Sequence, residues 1–451
     1  MPEIAGLSSF EVHFDERGKL AQAPPDAGRL PTAISAGGLD DLFVFAHGWN
    51  AGTASAQATE AAIFTLLAEQ LGAHRQHCAA VAIRWPSLLF PEDDPRTPKP
   101  TPSSGAMLAS ALAPAFPRSA FQLDQLGSLL DEQPPSMTEL GRFHLLASSL
   151  VSSPSLALED SGGAAVLSAD TASLFGMAAA IGNPSTSHQP DRRDGYQSLW
   201  AGAREVLRIL SYYEMKNRAG LIGRDGLGPL IASLRTPTGR PRIHLIGHSF
   251  GARLVAYALA GVAGQASIGQ RSPIKSLSLI QGALSHFAFA SSRPLGNGVH
   301  TGALAAFAGQ VDGPILATFS DQDRLLGWWY PMASLLNPPP GQSADRIIHQ
   351  WGAMGHDGLQ GDRVSRVALS AVQAGYRFAN GVAYSLDASA VIAANQSSFS
   401  GAHSDIAHPE VIGPIAAAAG FGPVRSADLP VTEHDPLRRG ELGKSHRAAG
   451  V

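Results

Sequence analysis

The chain has 451 residues, of which 44% are hydrophobic and 16% charged, against about 25% charged in an average soluble protein. A formal net charge of −4 and the lack of any Lys/Arg run exclude a global attraction to nucleic acid or an anionic membrane; Arg192-Arg193 and Arg438-Arg439 read as solvated loop charges. The single cysteine, Cys78, excludes an intramolecular disulfide.

No stretch approaches the roughly 18 uncharged apolar residues of a membrane span, and the first residues lack the basic start and apolar core of a signal peptide. The expectation is a soluble, cytoplasmic protein with no transmembrane segment. Residues 8–20 alternate apolar and polar and turn at Arg17-Gly18, which predicts an edge strand or hairpin. Leu42-Phe43-Val44-Phe45-Ala46 is fully apolar, the pattern of a strand buried on both faces, and it ends in His47-Gly48-Trp49-Asn50. Thr53 to Leu71 has helical spacing, and Ala79 to Ile83 is the next buried strand, ending at Arg84-Trp85-Pro86. Cys78 enters that strand as a small buried side chain rather than a nucleophile. Strand, helix, strand at this spacing implies a parallel pair with a crossover.

From Ser87 to about Gln197 the alternation is lost. The stretch opens with a proline-dense segment, residues 91–102, and continues with short helical patterns such as Met107 to Leu112 and Ser173 to Ala180. So long an excursion suggests a cap or lid insertion over residues 87–198. A helix is expected from Leu199 to Tyr213, and Ile243 to Val255 then reads as strand, abrupt turn and helix. Further strands are predicted at Leu277–Gln281, Ile315–Phe319 and Tyr384–Ile392. A second insertion covers about 324–379, a helix runs from Glu410 to Ala419, and 424–451 forms a loose tail. The core is thereby assigned to residues 1–86 and 199–423.

The turn at Gly247-His248-Ser249-Phe250-Gly251 is Gly-x-Ser-x-Gly between a strand and a helix, the setting in which this motif lifts a serine hydroxyl above the sheet edge. A serine nucleophile needs a base held in one tautomer by a carboxylate. Ser249, Asp323 and His403 have the chain order Ser, Asp, His, and the last two lie in loops after strands. Asp321 competes with Asp323 for the acid position, and His356 and His408 compete with His403. The oxyanion is assigned to the backbone amides of Phe250, next to the nucleophile, and of Trp49, in the loop after the Leu42–Ala46 strand.

Together, the buried strand with His-Gly-Trp-Asn, the strand ending in Trp-Pro, the Gly-His-Ser-Phe-Gly turn, Ser320-Asp321-Gln322-Asp323 after a strand and the late His403 resemble the α/β-hydrolase superfamily on its esterase and lipase side. The resemblance covers roughly residues 8–86, 199–323 and 380–420. It implies an α/β-hydrolase fold, with a mostly parallel, doubly wound sheet flanked by helices, and acyl-enzyme chemistry on a small-molecule or lipid-like ester; the large cap insertion is an addition to that pattern. Amide or peptide hydrolysis by the same triad, and a non-catalytic binding module on the same fold, are the alternatives. No cofactor and no metal is expected: His74/His77 and His403/His408 lack a third ligand, and Gly223–Gly228 lacks the strand that a dinucleotide motif requires. Trp328-Trp329-Tyr330 either lines an acyl pocket or anchors the second insertion.

Overall fold

The computed structural model describes residues 3–21, 29–49, 53–87, 90, 104–150, 169–182, 192–236, 239, 241–265, 271–295, 298–329, 352–361, 363–369, 375–395 and 401–422. The proline-dense 91–102, Asn50, Tyr330 and the 424–451 tail lie outside them, as do the side chains of Trp328 and Trp329.

The elements, in chain order, are β1 (Glu3–Ile4), β2 (Leu7–His13), α1 (Arg29–Ser35), β3 (Asp41–Ala46), α2 (Thr53–Leu71), β4 (Cys78–Arg84), α3 (Gly105–Leu112), α4 (Ala120–Glu132), α5 (Met137–Ser148), α6 (Thr171–Gly182), α7 (Arg192–Leu221), α8 (Gly228–Ser233), β5 (Arg242–His248) and α9 (Phe250–Gly264). They continue with β6 (Ile274–Ile280), a small hairpin of β7 (Arg293–Leu295) and β8 (Gly298–His300), β9 (Ile315–Phe319), α10 (Met354–Asp357), β10 (Val364–Ala368), β11 (Ala383–Asp387) and α11 (Pro409–Ala418).

Nine strands form one sheet in the order β1-β2-β4-β3-β5-β6-β9-β11-β10. Only the β1–β2 pair at the edge is antiparallel. The residue alternation of β3 shows why both faces are covered. Leu42, Val44 and Ala46 face one core with Tyr212, Phe250 and Leu254, whereas Phe43 and Phe45 face a second with Phe64, Leu67, Ile412 and Ile415. Helices α7 and α9 thus cover one face, and α2 and α11 the other, giving an α/β sheet with helices on both sides.

The strand expected over Tyr384–Ile392 ends at Asp387, where the chain turns back on Ala388, and three further elements differ from expectation. Residues 7–13 form β2, paired in parallel with β4 inside the sheet, while the two-residue β1 takes the edge; the expected turn at Arg17-Gly18 is present, with Phe14 bridged antiparallel to Leu20. The helix expected over 199–213 extends from Arg192 to Leu221, so Arg192-Arg193 opens a helix rather than lying in a loop. Charged residues interrupt its apolar pattern, and two pairs of them pack within the helix, Arg218 3.1 Å from Glu214 one turn earlier and Arg208 3.5 Å from Glu205. The third difference is β10, inside the second insertion and parallel to β11; its half-exposed, mixed sequence Val-Ser-Arg-Val-Ala is that of an edge strand.

Between β4 and α7 the described part of the first insertion is helical and packed. Ser104 and Ser136 accept the backbone N–H groups of Met107 and Glu139 at the starts of α3 and α5, satisfying donors that have no partner within the helix. Phe143 meets Phe175 and Trp200 edge-on, with centroids 6.1 and 5.7 Å apart, so the insertion joins the core through α7.

Candidate active site

The chain builds leftward from β3 to β4, then crosses to β5 and builds rightward to β6 and β9. The order therefore reverses between β3 and β5, and in open α/β sheets ligands bind beyond the carboxyl ends of the strands at such a point. The two loops there are His47-Gly48-Trp49 after β3 and Ser249 after β5.

Ser249 has φ 57° and ψ −122°, a region that costs a non-glycine residue about 1–3 kcal/mol. Its surroundings hold it there. Ser249 N–H donates to Ile280 O at 3.1 Å, and its carbonyl accepts from Ala252 and Ala283, each at 3.1 Å. Gly251 permits the turn: a Cβ there would lie 2.0 Å from Ala46 O. A Cβ on Gly48 would lie 2.7 Å from Ser249 Cβ, so the β3 loop crosses directly over the serine. The Trp49 ring packs on Phe250 and Tyr212, with centroids 6.1 and 5.5 Å away. Phe250 opens α9, so its N–H has no acceptor within the helix.

The structure brings Ser249, His403 and Asp323 together. His403 Nε2 lies 2.8 Å from Ser249 Oγ and Nδ1 2.7 Å from Asp323 Oδ2. Because the carboxylate only accepts, Nδ1 carries the proton, and Nε2 is left to take one from the serine. Asp323 is fully buried; its Oδ1 accepts Leu326 N–H at 3.0 Å, and its Oδ2 also accepts Gln281 Nε2 at 2.9 Å. Ala402 N–H donates to Gln322 O at 3.1 Å, tying the His403 loop to the Asp323 loop.

The rivals lie elsewhere. Asp321 is exposed and accepts Gln322 Nε2 at 2.8 Å. His408 bonds Asp405 at 2.8 Å just before α11, and His356 lies against Gly327 with Nε2 3.9 Å from Asp357. Burial pushes the Cys78 thiol up to about 12, which leaves no thiolate for chemistry.

Two neighbouring histidines stay neutral. Burial brings His47 down to about 4 and His248 to about 3, and the adjacent His403 contributes to the second shift. His47 donates Nδ1–H to Gly48 O at 3.0 Å, and His248 donates Nε2–H to His403 O at 2.9 Å. The bonds of Gln281 and His248 were not legible in the sequence, where Gln281 reads as a strand residue and His248 as the variable position of the motif.

A second line of serine, histidine and aspartate shows what the first has in addition. His244 lies 2.8 Å from Ser276 Oγ and 3.0 Å from Asp41 Oδ1, but these residues are buried at the opposite, amino-terminal end of the sheet. Ser276 sits inside β6, just past a register shift against β5, with no turn to raise its hydroxyl and no helix start beside it, and Arg242 also binds Asp41. That line fastens strands together.

Among the described residues no cluster of three or more His, Cys, Asp or Glu side chains is placed to hold a metal, and no helix is long and apolar enough to cross a membrane. No protein family, curated protein or solved structure matches the chain.

Proposed function

We propose that this chain is a serine hydrolase with an α/β-hydrolase fold, cleaving a carboxylic ester or lipid-like acyl bond. The observation that carries the reading is the unbroken hydrogen-bonded line from Ser249 through His403 to buried Asp323, at the strand ends where the sheet order reverses.

In this reading Ser249 Oγ attacks the acyl carbonyl while His403 Nε2 takes its proton, and Asp323 fixes the ring and stabilises the imidazolium. The amides of Trp49 and Phe250 receive the oxyanion; one such donor is worth about 2.7–4 kcal/mol. His403 then protonates the leaving alcohol. Water, activated by the same imidazole, releases the acid from Ser249. The strained backbone of Ser249 favours this role, since strain of that kind persists where surrounding structure holds it. Ser249 is only 2% exposed, beneath the β3 loop at Gly48.

The test is hydrolysis of p-nitrophenyl esters from acetate to laurate. The reading predicts turnover by the native chain, with a preferred chain length, and none above background with Ser249→Ala. Equal turnover by the two proteins contradicts it.

A further inference from the structure

We propose that Gln281 is a positioning residue that aims the Asp323 carboxylate at His403. The proposal rests on the serine-hydrolase reading of that site. Gln281 directly follows β6 and is fully buried. Its φ of 45° is in the left-handed region that glycine favours, so the chain holds a long polar side chain there at a conformational cost.

Every polar atom of that side chain is engaged. The Thr318 hydroxyl accepts Gln281 N–H at 3.1 Å and donates to Gln281 Oε1 at 3.3 Å. The nitrogen end then donates its two protons to Asp323 Oδ2 and Gly355 O, each at 2.9 Å. Neither acceptor has a proton to offer, so the reverse amide orientation would set oxygen against oxygen. Gly355 O also accepts Ser320 N–H at 3.0 Å. One amide thus joins β6, β9 and the α10 turn at the catalytic acid.

Asp323 Oδ2 is the same oxygen that accepts His403 Nδ1–H. A second donor on that oxygen fixes its lone pairs in direction and shares its negative charge. Without it the carboxylate is free to turn about the Leu326 contact, and its full charge falls on the imidazole. A glutamate at 281 would supply one proton when neutral and none when ionised, whereas the amide supplies two at every pH.

The experiment compares native protein, Gln281→Leu and Gln281→Glu by the rate constant of fluorophosphonate labelling of Ser249 from pH 5 to 9, with proton NMR of the downfield His403 Nδ1–H. Thermal melting establishes that each variant is folded. In Gln281→Leu labelling is expected to slow by roughly ten- to hundred-fold, with displacement of the downfield resonance. Gln281→Glu keeps its donor only while protonated, so its labelling should fall on an alkaline limb that the native profile lacks. A folded Leu variant with native rate and resonance, or a Glu variant whose profile has the native shape, overturns the proposal. A purely structural role would lower the melting temperature of both and leave the pH limbs in place. Should the native chain fail to label, the serine-hydrolase reading fails, and the resonance alone decides whether Gln281 acts on the Asp323–His403 bond. If Gln281→Leu does not fold, Gln281→Met, which keeps the length of the side chain and removes the donor, is expected to move the same resonance; no movement in the folded variant overturns the proposal.

Discussion

His248 donates its Nε2 proton to the backbone oxygen of His403 at 2.9 Å, so the residue before Ser249 holds the peptide that carries the His403 ring. The two rings lie 4.9 Å apart. Positive charge on both would be repulsive, and burial keeps His248 neutral down to about pH 3.

This arrangement has a pH consequence. The His248 pKa is depressed on folding, so its contribution to stability is present above the unfolded value near 6.5 and is lost as pH falls toward the folded value. One pH unit below the unfolded value, the loss is about 1.4 kcal/mol. Urea unfolding at pH 7.5 and 5.5 should show a smaller acid-side loss in His248→Gln than in the native chain, by about that amount. Equal losses in the two proteins would show that His248 takes up its proton in the fold.

The choice of acid is testable by single substitutions. Asp323→Asn places an amide donor at His403 Nδ1, moving the ring proton to Nε2, where it blocks proton transfer from Ser249. Ester turnover should fall by about 10⁴-fold. Asp321→Asn, at an exposed carboxylate, should retain activity within about two-fold, the scale of an exposed-site change of ±0.5 kcal/mol. Comparable losses from the two substitutions would assign the acid wrongly.

The close crossing of the β3 loop over Ser249 predicts steric sensitivity. In Gly48→Ala the new methyl would meet Ser249 Cβ at 2.7 Å, and in Gly251→Ala it would meet Ala46 O at 2.0 Å. Each should lower stability by about 1–3 kcal/mol or more, visible as a reduced melting temperature together with lost labelling. Gly309→Ala, with nothing within 4 Å of the added carbon, serves as the control.

The strands β3, β4 and β9 and the helix α2 were legible because their apolar patterns match their burial. Ser249, Asp323 and His403 were legible because motif, loop position and chain order agree. What stayed hidden depends on partners distant in sequence. Nothing local shows that Asp323 rather than Asp321 turns inward, that Gln281 crosses to the acid, or that His248 holds the His403 loop. The full length of α7 was masked by charges whose burial is offset by i, i+4 pairing, as in Glu214 and Arg218. β10 was masked because an edge strand needs no continuous apolar run.

The most direct measurement is reaction with a fluorophosphonate probe followed by intact mass, on the native chain, Ser249→Ala and His403→Ala. The account predicts one adduct on the native protein, none on Ser249→Ala and a nearly complete loss on His403→Ala. A single adduct that persists in Ser249→Ala, or a folded native chain that takes none, would contradict it.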